Sequence, residues 1–245
     1  MKRRLLIAST LFVFVVFSAT FSIADLTDGL VGYWPLDGDA NDAAGNHDGV
    51  LMGGASFVQD ATRGTVLSVD GVDDRIEVPH AEDMVFSSSD TYTLSAWVYV
   101  EGLPGLWQTI MAKSRDQGSH YGFWITDSGN WMGGGWENTG SMAVTQAWVH
   151  IAYIQDGAAS TGASYINGEL DWSGGPRDGT GPGDFWIGGA KSVTEFFGGL
   201  IDDVAVYNRA LSEGEIQQLA SGTSISAVVE PGEKLITAWG IVKGE

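Results

Sequence analysis

The chain has 245 residues, 44% of them hydrophobic and 11% aromatic, enough for one large all-β domain or two small domains with an ordinary core. Its formal charge of −19 repels nucleic-acid phosphates and anionic membrane surfaces, and it offers many oxygen ligands for hard cations. With no cysteine there is no disulfide, so stability rests on the core, with a metal as a further source.

The chain opens on Lys2, Arg3 and Arg4, an apolar run from Leu5 to Phe17, and the small-residue stretch Ser22-Ile23-Ala24. That order of charged, apolar and small residues predicts a signal peptide over 1–24 and a protein that is secreted or held at the cell surface. The h-region is short for a spanning helix, the alternative being an uncleaved anchor. Cleavage removes three positive charges and no negative one, so the mature chain from Asp25 carries −22. No later stretch is long and apolar enough to span a bilayer.

From there, short strand-like runs alternate with turn signals, as in sandwiches. "LVGYWPL" (30–36), "GTVLSV" (64–69) and "RIEVP" (75–79) come first. "YTLSAWVYV" (92–100) puts Tyr92, Leu94, Ala96, Val98 and Val100 on one face. "QTIMAK", "YGFWIT" and "WVHIAYIQ" continue the series, and "SYINGELDW" carries Asn167-Gly168 between apolar halves, a strong hairpin signal. "DFWIGG" and "GGLIDDVAVYNRALS" close it. One helix is expected: Ser212 and Glu215 form a capping box, Ile216, Leu219 and Ala220 an apolar stripe, and Gly222 a stop. It is expected to pack on an edge of the sandwich. Residues 221–245 read as a linker and a short tail.

Six of these stretches, "GLVGYWPLDGDANDAAGNHDG", "VDGVDDRIEVP", "TLSAWVYV", "WVHIAYIQDG", "YINGEL" and "GGLIDDVAVYNRALSEGEIQQL", stand in the order seen in LamG-like jelly-roll domains. The chain resembles that family, part of the concanavalin A-like lectin/glucanase superfamily, from roughly residue 28 to 220. The spacing of strands predicts an all-β sandwich. The resemblance adds the topology: two curved antiparallel sheets of six or seven strands, a jelly roll with one short C-terminal helix, over a domain of 25–220.

Two adjacent carboxylates, Asp202 and Asp203, interrupt the last strand. Strict alternation groups Asp202 with Leu200, Val204 and Val206, and Asp203 with Ile201, Ala205 and Tyr207. Both faces are apolar, so each acid needs backbone amides, a basic side chain or a cation. Basic residues are scarce. The loop "DGDANDAAGNHDG" (37–49) has the mixed carboxylate and amide oxygens that Ca²⁺ takes, although it is not an EF-hand. The resemblance implies one structural Ca²⁺ between this loop and the late strand, with Asp42, Asn46 and Asp202 as ligands and Asp73 or Asp74 contributing.

The superfamily includes glucanases, yet the paired-carboxylate strand motif of those enzymes is not found here. Adjacent aspartates on an unbroken strand point to opposite faces, which does not suit a cooperating pair. His47, His80, His120 and His150 show no triad or metal-ligand spacing, and His150 reads as a hydrogen-bonded core residue. The chain therefore reads as a non-catalytic binding module. A lectin-like module would take an extracellular glycan by stacking on Trp107, Trp131, Trp136 and Trp172, while Trp34, Trp97, Trp148 and Trp186 read as core. The alternatives are an adhesive module that binds a cell-surface protein and, third, a glycan-processing hydrolase.

Overall fold

Alternation on the long strands builds the interior. On β6 (Tyr92–Val100), Tyr92, Leu94, Ala96, Val98 and Val100 all enter one apolar core, as the pattern requires. In this computed structural model residues 25–115, 120–135, 139–175, 181–190 and 194–225 are described. The expected leader over 1–24, Trp136 and tail residues 226–245 lie outside them.

The first sheet runs β13 (Glu169–Gly174), β12 (Thr161–Ile166), β11 (Trp148–Asp156), β6, β17 (Gly198–Tyr207), β4 (Gly64–Asp70) and β3 (Ser56–Asp60). β1 (Leu30–Trp34) pairs with the far half of β17. The second runs β10 (Thr139–Met142), β9 (Asn130–Gly133), β8 (Tyr121–Ile125), β7 (Gln108–Lys113), β14 (Phe185–Ile187), β5 (Arg75–Val78) and β2 (Val50–Met52). β15 (Gly189–Ala190) and β16 (Glu195–Phe196) complete it, with Phe196 beside Thr109 in a parallel pairing. The sheets therefore hold eight and nine strands, more than the six or seven expected, because the mostly exposed β3 adds an edge strand to the first and the two-residue pieces β15 and β16 add to the second. They close face to face over Trp34, Leu94, Val98, Phe123, Trp131 and Ile201.

The β12–β13 hairpin turns at Asn167 and Gly168, with φ of 51° and 82°, the conformation an Asn-Gly turn favours. The helix α1 (Glu213–Ala220) starts at the capping box: Ser212 Oγ accepts from the Glu215 N–H, and the Glu215 carboxylate accepts from the Ser212 N–H at 2.7 Å. It lies on the outer face of the first sheet rather than on an edge. There Ile216 and Leu219 join Tyr33, Ala152, Tyr165, Ala205 and Tyr207 in a second apolar cluster. An edge could not have buried that stripe; the sheet's outer face can.

Candidate binding face and the buried ion pairs

The two aspartates of β17 do not point apart. Asp203 sits at φ 49°, and the pairing with β6 shifts register between Asp202 and Ala205, which marks a β-bulge. The bulge breaks the alternation. Ile201, Val204 and Val206 face the core, Ala205 and Tyr207 face the helix cluster, and one side chain reaches both carboxylates. Arg63, just before β4, donates from Nε to Asp202 Oδ2 at 2.7 Å and from Nη2 to Asp203 Oδ2 at 2.5 Å. Tyr33 OH donates to the other Asp203 oxygen at 2.5 Å. The guanidinium carbon lies 4.4 Å from the Trp97 ring centroid and 5.5 Å from that of Trp148. Burial, followed by the charge of Asp203, raises the Asp202 carboxyl from 3.8 to about 7 despite Arg63. Beside it, His150 is 1% exposed, its Nε2 2.9 Å from Ser95 Oγ. Desolvation and the nearby Arg63 charge lower its pKa to about 3, so it is neutral in the physiological range.

This geometry corrects the expected calcium ligands. The Asp42 carboxylate accepts from the N–H groups of Tyr33, Ala44 and His47 and faces His47 Nδ1 at 3.0 Å, so its oxygens are committed within its own loop. Asn46 is exposed. Asp202 holds Arg63. Asp42, Asp73 and Asp202 form no common group: among the described residues, the one trio of carboxylates within 4.8 Å is Asp70, Asp73 and Asp74. Even there, buried Asp74 accepts from the N–H groups of Gly54 and Asp70. The residues present do not fit the ion at the place the resemblance implies.

The outer face of the second sheet is built differently. Thr109 pairs with Trp124, and Trp124 with Met132; one row over, Glu77 pairs with Trp186, Trp186 with Ala112, and Ala112 with Gly122. A side chain on Gly122 would meet the Met111 carbonyl and the Trp124 ring, so glycine is what lets the indole approach the sheet here. Arg115 stands over that indole, 5.8 Å from its centroid, and grips Glu195 with Nε at 2.9 Å and Nη2 at 2.6 Å. His120 meets the Trp124 ring edge-on at 5.5 Å and lies 3.3 Å from Arg115 Nη1. The indole N–H groups of Trp124 and Trp186 are buried without a hydrogen-bond partner. Such donors cost free energy unless a water or a ligand accepts from them. Half-buried Trp107 packs on Ala112, Trp124 and Met132 at the end of this floor.

Gln108, next to Trp107 in the chain, lines an open groove of about 440 Å³ together with Asp70, Glu101, Leu103, Pro104 and Phe196. Gln108 fixes its wall, donating to the Gly102 carbonyl and accepting from the Gly198 N–H. Asp70 and Glu101 carry no ion pair among the described residues, whereas Arg63, Arg75, Arg115 and Arg209 are each paired to a carboxylate.

Of the four tryptophans expected at a ligand, Trp107 lies on this face and Trp136 is outside the described residues. Trp131 is 0% exposed and packs against Phe123 between the sheets, so it cannot stack on a ligand. It sits in β9, a strand that runs into Gly133, Gly134 and Gly135 and that no expected run covers. Trp172 is half-buried on edge strand β13, beside Ser164 and away from Trp107's cluster. Of those expected in the core, Trp34 is there. Trp97 and Trp148 lie instead on the outer face of the first sheet, and Trp186 on that of the second. Arg63, Arg115 and Glu195 carried no local signal, because each finds its partner far along the chain.

Two face-to-face antiparallel sheets define a jelly-roll sandwich. Residues 70–217 match the concanavalin A-like lectin/glucanases superfamily, and the chain belongs to it. Comparison with curated proteins returns no match. Among solved structures, the chain is similar to domain 4 of AbnA, a GH43 extracellular arabinanase from Geobacillus stearothermophilus, in complex with arabinotriose. The identity is 24% and the TM-score 0.62, covering 78% of this chain and 98% of that one. It is also similar to the binding domain of Paraclostridial Mosquitocidal Protein 1, at 19% identity and TM-score 0.59, covering 80% of this chain and 52% of that one. For Trypanosoma rangeli sialidase the values are 18% and 0.63, covering 86% of this chain and 36% of the sialidase. The chain thus spans about half of the toxin domain and about a third of the sialidase. At these identities the likeness is one of fold. No helix among the described residues is long and apolar enough to cross a membrane.

Proposed function

We propose that this protein is an exported, non-catalytic carbohydrate-binding module whose ligand lies along the outer face of the second sheet, from Trp107 into the groove beside Gln108. The observation that carries the reading is half-buried Trp107, packed at the margin of the buried Trp124 cluster and next in the chain to Gln108, which lines an open groove. Sugars offer C–H faces to stack on an indole ring and hydroxyls to donate to carboxylates such as Asp70 and Glu101. The superfamily match and the arabinotriose complex of a structural neighbour support the class of ligand. The charge of −19 favours neutral or amino sugars over uronic or sialic acids. The buried acids Asp202 and Glu195 and the half-buried Asp203 are gripped by arginines, which suits scaffolding better than proton transfer.

A glycan array tests the proposal. Discrete signals that vanish in Trp107→Ala support it, and silence across the array, or signals indifferent to Trp107, count against it. Reducing-sugar release from mixed polysaccharides would contradict the non-catalytic part. A second reading, a module that docks a cell-surface protein, draws on the exposed Val72 and Leu106 near the groove. It predicts array silence together with a protein partner lost on Leu103→Asp. Calcium stays a proposal and moves to Asp70, Asp73 and Asp74 beside the groove. Calorimetric titration of CaCl₂ into EDTA-stripped protein, with Asp73→Asn as control, measures it.

A further inference from the structure

The place on β17 where the resemblance implies a divalent ion is filled by the chain's own side chain, and we infer that Arg63 is its resident cation, which makes this place independent of calcium. The fork of a guanidinium matches two carboxylates side by side, and the Asp203 bulge supplies that arrangement. Trp97 and Trp148 close on its faces. Asp60 holds the assembly from behind: its Oδ1 accepts from the Arg63 N–H at 2.9 Å and from Trp148 Nε1 at 3.0 Å. Tyr33 completes the Asp203 carboxylate from β1. A third acid, Asp37, faces the same charge. Burial, then the charge of Asp203, raises its pKa, with Arg63 opposing. One guanidinium thus ties β1, β6, β11 and β17 to the β3–β4 turn. An ion entering here would have to expel a buried arginine from between two indoles and leave it without a carboxylate, which is strongly unfavourable. Lysine cannot replace it, since a point charge lacks the fork and the flat faces.

The test uses the full chain carrying Asp70→Asn and Asp73→Asn, so that the other carboxylate group does not respond. Thermal midpoints are measured in EDTA and in excess CaCl₂, alone and with Arg63→Ser or Arg63→Lys added. The inference expects identical midpoints in the two buffers for the parent. It also expects a drop of about 10 °C for Arg63→Ser, with Arg63→Lys recovering little of it. A second measurement needs no Arg63 variant: Tb³⁺ placed here would lie beside Trp97 and Trp148 and emit on indole excitation, and none is expected from the parent. A parent midpoint that falls in EDTA, sensitised Tb³⁺ emission, or an Arg63→Lys chain as stable as the parent would each overturn it.

Discussion

The two outer faces of the sandwich carry the same materials and use them differently. Each has tryptophans, and each has an arginine over an indole that grips carboxylate: Arg63 with Asp202 and Asp203, Arg115 with Glu195. On the first sheet the helix cluster covers the neighbouring strands, Asp60 accepts from the Arg63 N–H and Tyr33 donates to Asp203, while Asp202 Oδ1 and His150 Nδ1 are buried without a hydrogen-bond partner. On the second, the buried indole N–H groups of Trp124 and Trp186 have no acceptor, and beside half-buried Trp107 lies a groove whose Asp70 and Glu101 carry no ion pair among the described residues. The difference teaches that an aromatic–arginine cluster is not by itself a sign of a ligand. Buried polar atoms without a partner occur on both faces, so what sets the second apart is the half-buried Trp107 and the open groove that Gln108 lines.

The largest effect that could break this comparison is at Arg63. Arg63→Ala leaves two acids in a buried setting without a cation and is expected to cost about 3–5 kcal/mol in urea unfolding. A loss below about 1 kcal/mol would make the first face as open as the second. Trp107→Ala should cost less stability, because that side chain is only half-buried, while removing ligand binding; the array and a thermal melt measure the two together.

Asp202 sharpens the contrast through pH. Its carboxyl is raised to about 7 by burial first and by Asp203 next, against 3.8 ordinarily, so the folded state holds the proton more tightly than the unfolded one. That contribution is complete below about pH 4 and is lost as pH rises through 7. Stability attributable to this group should therefore decline between pH 4 and 8, and urea melts of Asp202→Asn should show that decline removed. The smallest expected effect is at the helix that covers the first face. Ser212→Ala removes the capping box and should cost about 1 kcal/mol in the same melts.

Much of the fold was legible because its signals are local. β6 alternates without a break, Asn167-Gly168 sits between two apolar runs, and Ser212 and Glu215 are three residues apart. The same alternation on β6 places Trp97 opposite the core set, which an apolar neighbourhood alone obscured. β9 was hidden by glycines whose reason is tertiary: a side chain on Gly133 or Gly134 would strike Tyr153. The clamp was not legible at all. It needs an arginine 139 residues before Asp202 and a bulge that turns Asp203, and neither leaves a pattern in the strand itself. The proposed binding face was glimpsed through Trp107 alone, since Arg115 and Glu195 meet across a separation of 80 positions.

One comparison tests the division of labour most directly: the same glycan array probed with the parent, with Trp107→Ala and with Trp148→Phe, at a temperature where melts show all three folded. The account predicts that Trp107→Ala abolishes the parent's signals, while Trp148→Phe keeps them despite a lower midpoint. Signals that survive the loss of Trp107, or that disappear with Trp148, would put the ligand on the wrong face and contradict it.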